Sequence, residues 1–505
     1  MIYSETIPSK TGETIPVFTD GKPMHSKYNP QSEHFAENAG DGFYVIGGIG
    51  GSYHLKSLLD SLGKDSYILA VEADKESLDF SLETGITALV KKDERIQFCT
   101  AAELKSVLQN LYLPVLYPSF SFLAQRAWET HAQDVFLQIR EDVQETLSLI
   151  SADFSVQSHF GKQWQKNIIQ NLRNIKACSA PFIPQGKTAV IIAAGPSLDK
   201  SICELKQNLG ETVIFCTDTA YQTLKKHYVE PDYIVSIDCQ NLSLEHFRIN
   251  GSMQKDKKAC VILDLGSSPD IARFMISQGH DVYFTSSFHP LSKLASKEFN
   301  IPVIDSGSGT VAIAACDIAR LCGAEKIRLY GADFCYSSGK PYAKGTYLDS
   351  IYGRSGIRTS PLETIFSALM YRTELMDCRP IFSNGLVNPR TSSVLNSYSN
   401  ALLTWAENNS YRLKDGVFLK EYPGKSSLPD QKPVDAEYFI SGILDNVQKL
   451  NEKTVHDLKK DEFFYGVLPY IAWQKKWLKD NNLSIFEHLK LANSAIKRYT
   501  IRYEE

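Results

Sequence analysis

Between Thr188 and Tyr330 the chain alternates short apolar, β-branched runs with helical stretches, and this alternation limits the possible folds more than any other feature. Ala189–Ala194, Thr212–Cys216, Asp232–Ile237, Ala259–Leu263, Asp281–Thr285, Ile301–Ile304 and Lys326–Tyr330 are predicted strands. Tyr221–His227, Pro269–Gly279 and Val311–Cys322 are predicted helices. Repeated β-α-β units imply a doubly wound parallel sheet with helices on both faces, because each crossover must return over the sheet. Ligands of such sheets sit at the carboxyl ends of the strands.

The first strand opens the most informative stretch, T-A-V-I-I-A-A-G-P-S-L-D from Thr188 to Asp199. Gly195 permits a tight turn and close backbone approach. Pro196 suits the first helical position, where its missing N–H costs nothing. Ser197 adds a hydroxyl beside the unpaired amides of the helix start, and Leu198 begins the buried face. Strand, turn and helix N-terminus form an anion cradle suited to phosphate. The ordinary alternative is a strand-to-helix turn that holds nothing.

Other polar residues fall at the same sheet edge: Asp218, Asp238, Ser306-Gly307-Ser308-Gly309-Thr310 and Asp333. A single acid in such a place is more often an Asx-turn or helix cap. Several along one edge point to a site. The glycine-serine turn before Val311 is a second candidate oxyanion nest. After Asp333 comes a long polar loop to Tyr347, carrying several tyrosines, of the kind that often forms a lid.

Upstream, Thr6–Ile7 and Pro16–Thr19 suggest a hairpin. Gly42–Ser52, then a helix over His54–Leu62, then Tyr67–Val71 ending at Glu72, resemble a dinucleotide-type unit, a pattern that also serves S-adenosylmethionine enzymes. The glycines (Gly47, Gly48, Gly50, Gly51) depart from G-x-G-x-x-G, which favours a Rossmann-like domain without a working cofactor site. From Ala101 to Ala177 the periodicity is helical. Phe439–Leu450 and Phe463–Lys479 are amphipathic. Tyr470, Trp473 and Trp477 suit a small helical core or a subunit interface, leaving a homo-oligomer open. The expected organisation is a Rossmann-like domain over 1–105, a helical connector over 106–180, a central parallel-sheet domain over 181–395 and a helical C-terminal domain over 396–505.

Totals matter mainly for what they exclude. A net charge of −4 gives no sign of a nucleic-acid binder. No leader-like start and no apolar run long enough for a membrane span occur, so a cytoplasmic location is expected. The 10 cysteines form no C-x-x-C pair and read as buried hydrophobes in a reducing compartment. There is no P-loop motif, no D-x-D, no H-E-x-x-H, and no histidine between His289 and His456. No metal ligand set and no tightly bound cofactor are expected.

A-A-G-P-S-L-D, T-D-T-A, P-D-Y-I-V-S-I-D (Pro231–Asp238), G-S-G-T-V-A-I-A-A-C-D-I-A (Gly307–Ala319) and L-Y-G-A-D-F (Leu329–Phe334) together resemble the central domain of the motility-associated factor (Maf) flagellin glycosyltransferases. That family's central domain is similar in turn to bacterial sialyltransferases. The resemblance implies transfer of a nonulosonic acid from a CMP-activated donor to Ser or Thr of flagellin, without metal. It also implies that Gly195, Pro196 and Ser197 hold CMP, and that Ser308, Gly309 and Thr310 line the donor site. Tyr336 and Tyr342 would stabilise the leaving phosphate. Ala194 stands where the sialyltransferases have asparagine, and their catalytic histidine has no counterpart after Tyr342. His289, Asp218 and Asp238 are the candidate bases. The same fold family includes an archaeal-type pterin diphosphokinase that would need ATP and magnesium. A non-catalytic flagellin-binding chaperone is a further alternative.

Overall fold

The structure is a computed structural model that describes residues 1–34, 40–207, 209–248, 258–306, 309–353, 356–383, 385–422, 425–478 and 483–500. The chain forms two compact units, one of residues 1–162 with 445–494, the other of 163–444 with 495–505.

The first unit begins with an antiparallel hairpin, β1 (Tyr3–Pro8) and β2 (Thr14–Phe18). Its sheet contains β3 (Phe43–Gly47), β4 (Tyr67–Glu72), β5 (Ile96–Thr100) and β6 (Phe120–Ala124), all parallel, in the order β5-β4-β3-β6. Every residue of β3 and β4 is buried, as continuous apolar runs in parallel sheets should be. The expected helical connector over 106–180 is therefore incorrect in part, since β6 completes this sheet. Its five residues, F-S-F-L-A, are all half-buried, and the run is short enough to be passed over beside the helical periodicity that follows.

The second unit holds an eight-stranded sheet. Its strands are β7 (Thr188–Ile192), β8 (Thr212–Thr217), β9 (Tyr233–Ser236), β10 (Cys260–Asp264), β11 (Val282–Thr285) and β12 (Lys326–Tyr330). After a two-residue pair, β13 (Met376–Asp377) and β14 (Arg390–Thr391), come β15 (Tyr411–Lys414) and β16 (Val417–Lys420). The order is β11-β10-β9-β8-β7-β12-β16-β15, parallel through β12 and antiparallel at the β16-β15 edge. Alternate residues Ala189 and Ile191, Val213 and Phe215, and Ile327 and Leu329 pack with Ile313, Ala315 and Cys316 of the helix Val311–Leu321. Val190, Ile192, Ile214 and Cys216, which point the other way, are buried as well, so both faces are covered.

Three expectations change here. Ile301–Ile304 forms no strand; Val303 makes only an isolated bridge to Ser286, beside Pro302, which has no N–H to donate. The region 396–505 is not one helical domain. It carries β15 and β16, and its helix Glu462–Trp477 belongs to the first unit. The helix after β8 begins at Asp218, within the T-D-T triplet. Among the described residues no helix is long and apolar enough to cross a membrane.

Candidate functional site

At the carboxyl ends of β7 and β12 two glycines let the strands run on together. Ala193 N–H donates to the Tyr330 carbonyl at 2.8 Å and Gly195 N–H to the Gly331 carbonyl at 2.7 Å. A Cβ on Gly331, whose φ is +66°, would lie 2.1 Å from the Ala193 carbonyl oxygen. A Cβ on Gly195 would lie 2.5 Å from the Gly331 carbonyl oxygen. Only glycine fits either place.

This crossing brings Asp333 onto the start of the helix Leu198–Gln207. Ser197 N–H donates to Asp333 Oδ2 at 2.7 Å, and the Ser197 and Ser383 hydroxyls both donate to Oδ1. Burial raises the Asp333 pKa, an effect opposed by these donors. The anion cradle expected at Gly195-Pro196-Ser197 is thus filled by the chain's own carboxylate. Asp333, expected as a catalytic candidate, caps this helix start, Oδ1 taking two donors and Oδ2 one.

A cavity of about 410 Å3 opens on the other side of Gly195. It is lined by Gly195, Thr310, Tyr336, Tyr342, Arg372 and Tyr398, together with Gly309, Asp333 and neighbours. Thr310 is the N-cap of the helix Val311–Leu321, and Gly309 has φ +74°. Val311 and Ala312, the first residues of that helix, both line the cavity. A helix N-terminus of this kind favours an anion, so this second helix start is the candidate cradle on the cavity. Ser306 begins its turn, accepting from Gly309 N–H at 2.9 Å. Gly307 and Ser308 lie outside the described residues.

The loop carrying the tyrosines is tied down along its length. Tyr336 and Arg390 exchange backbone hydrogen bonds of 2.7 and 2.9 Å, and Ala343 N–H donates to the Ala194 carbonyl at 2.8 Å. Lys344 N–H and the Lys340 ammonium both reach Asp199, at 2.8 and 3.3 Å. Burial raises the pKa of both Tyr336 and Tyr342, while the Arg372 charge opposes it. Both phenols therefore keep their protons near neutrality and can donate hydrogen bonds.

The remaining candidates are not among the cavity's lining residues, although the charge of Asp218 is felt by Tyr342. Asp218 caps its own helix: Oδ1 accepts from Thr219 N–H at 2.6 Å and Oδ2 from the Ser236 hydroxyl at 2.6 Å. Thr217 and Thr219, its neighbours, line the cavity instead. Asp238 closes its loop, accepting from Gln240 N–H at 3.1 Å and the Ser243 hydroxyl at 2.6 Å. His289 follows β11, four strands from β7, or roughly 19 Å at the usual strand spacing. Its Nδ1 accepts from Leu291 N–H at 3.2 Å, its ring meets Trp164 edge-on, and burial lowers its pKa to about 3. It is a helix cap, not a base. Arg372 and Tyr398 carried no signal in the sequence, since neither belongs to a periodic or glycine-marked segment.

In the first unit the dinucleotide-like turn is occupied by the protein itself. Glu72, wholly buried, accepts from Trp128 Nε1–H at 2.8 Å, Ile49 N–H at 3.1 Å and the Tyr3 hydroxyl at 3.1 Å. A Cβ on Gly48 would strike the Trp128 ring, and one on Gly50 the Met24 sulfur. His25, Glu33 and His54 offer ligand atoms within 4.8 Å of one another. Yet His25 Nε2 accepts from Gly51 N–H and His54 Nε2 contacts the Gly48 carbonyl, so both rings brace the turn.

Fold and cavity define an α/β protein with a parallel sheet and a ligand-sized cleft at its strand ends. The chain belongs to the family of two Treponema pallidum (strain Nichols) proteins, each described as uncharacterized. It is 31% identical to one over 244 residues, 48% of this chain and 77% of that protein. It is 32% identical to the other over 155 residues, 30% of this chain and 74% of that protein. The family model "6-hydroxymethylpterin diphosphokinase MptE-like" matches residues 162–339. Among solved structures, the chain is similar to the MAf glycosyltransferase from Magnetospirillum magneticum AMB-1 at 15% identity and TM-score 0.49, over 98% of this chain and 86% of that one.

Proposed function

We propose that this chain is a cytoplasmic protein O-glycosyltransferase. It moves a nonulosonic acid of the pseudaminic or legionaminic type from a CMP-activated donor to Ser or Thr of flagellin, serving flagellar assembly and motility. One observation carries the reading: Tyr336, Tyr342 and the helix start at Thr310 line a single cavity, the parts that the Maf resemblance names for the donor. In the reaction the bond from the anomeric carbon to the phosphate oxygen breaks, its electron pair leaving with CMP, while the acceptor hydroxyl oxygen bonds to that carbon and gives up its proton to the departing phosphate or to water. Charge gathers on the departing phosphate, where two protonated phenols and the amides of Val311 and Ala312 meet it. Attack on an oxocarbenium-like centre asks little of a base, which accords with a cavity that no histidine lines among the described residues.

The family model over 162–339 favours a second reading, an ATP- and magnesium-dependent diphosphokinase. Against it, the carboxylate among the described lining residues is Asp333, whose oxygens Ser197 and Ser383 already use. Thermal melting separates the readings. CMP or CTP at a hundredfold over Kd should stabilise by about 2.7 kcal/mol. A shift with ATP and magnesium alone would sink the transferase. No shift with either would favour a flagellin-binding chaperone. Incubation of flagellin with donor and enzyme should then add one or more nonulosonate masses to intact flagellin.

A further inference from the structure

Arg372 is the one Lys, Arg or His among the described residues lining the 410 Å3 cavity. Among the described residues its guanidinium enters no ion pair. Asp333 shares the cavity and accepts hydrogen bonds from Ser197 and Ser383. The Arg372 charge instead acts on phenols, opposing the rise in pKa at Tyr336, Tyr342 and Tyr347. Its segment is anchored just downstream. Met376 and Asp377 pair with Thr391 and Arg390, and the Arg390 guanidinium donates to the Leu375 carbonyl at 3.1 Å. Arg372 is exposed and lines the cavity beside the neutral donors Tyr336 and Tyr342, so an anionic ligand entering the cavity would meet a cation as well as the phenols. The guanidinium fork matches two oxygens of one anionic group.

We propose that Arg372 is the anion clamp of this cavity, holding the charged group of the ligand against Tyr336 and Tyr342; the inference rests on the cytidylyl reading above. Two groups of a CMP-nonulosonate offer such an oxygen pair, the phosphodiester and the sugar carboxylate. Arg372 also lies on a segment far along the chain from the glycine turns, so its role is separable from theirs.

Calorimetric titration of the full chain with CMP, cytidine and free N-acetylneuraminate, for wild type, Arg372→Gln and Arg372→Lys, tests it. Wild type should bind CMP roughly tenfold or more tightly than cytidine. If the phosphate is clamped, Arg372→Gln erases that preference while cytidine affinity stays, and Arg372→Lys restores part of it. If the carboxylate is clamped, Arg372→Gln loses N-acetylneuraminate binding and keeps the CMP preference. Wild-type behaviour of Arg372→Gln toward all three ligands overturns the clamp alone. A wild type indifferent to all three overturns the cytidylyl reading, and the clamp with it.

Discussion

Tyr342 illustrates how one side chain's surroundings set its chemistry. Its phenol is held in the cavity by the Ala343–Ala194 backbone bond, and burial keeps it protonated. Tyr342→Phe removes a donor that matters once phosphate charge develops. Transfer should slow roughly 100-fold, the usual cost of losing one such donor, with CMP affinity almost unchanged. Equal losses in both would show the phenol to be a ground-state contact. Asp264 offers a separate test at the end of β10. It is buried, accepts from Gly266 N–H at 2.6 Å, and burial lifts its pKa to about 7. The unfolded value lies near 3.9, so the folded state favours the proton. Its stabilising contribution is therefore complete below about pH 4 and is lost as pH rises toward 7. Asp264→Asn mimics the protonated acid, so the variant should gain in melting temperature relative to wild type across that range. A difference that does not vary with pH would refute the assignment.

Among the elements, the join of β7 to β12 is the part most sensitive to a single carbon atom. Gly331→Ala puts a Cβ 2.1 Å from the Ala193 carbonyl oxygen at a positive φ. A loss of about 3 kcal/mol or more is expected, from strain and clash combined. Gly339→Ala, also at positive φ but with nothing within 4 Å, should cost only about 1 kcal/mol. Urea unfolding of the two variants measures the gap, and equal costs would mean that the strand ends can separate freely. The long helix Gln133–Leu172 contributes through two asparagines that its periodicity gave no reason to single out. Asn167 donates to the Cys239 and Gly266 carbonyls, and Asn171 to those of Leu265 and Ser267, all within 2.9 Å. They hold the loops after β9 and β10.

On the scale of the whole molecule, two sheets built on similar strand–turn–helix units differ in what their turns do. The first unit's acid and glycines are closed by Tyr3, Met24 and Trp128, whereas the second unit's cleft stays open. NAD and S-adenosylmethionine should accordingly leave the melting temperature unmoved at concentrations where CMP raises it. A clear shift with either dinucleotide or methyl donor would show that the first turn opens.

The sequence by itself determined the alternating β-α order, the six parallel strands β7–β12 to within about two residues, and the turns at Gly195 and Gly309, because periodicity and glycine are local properties. It also carried the pairing of the tyrosine loop with those turns, through a resemblance in motif. Tertiary structure alone decided that the helix start at Ser197 is capped from within the chain. Nothing near Ser197 announces that Asp333 will arrive from the end of the adjacent strand β12, and a carboxylate's contacts depend on the fold that delivers it. The same holds for His289, set aside by strand order, and for Arg372, brought to the cavity by β13 and β14. Local spacing specifies elements; the choice between a cap, a plug and an open site is made by residues that meet only after the sheet has formed.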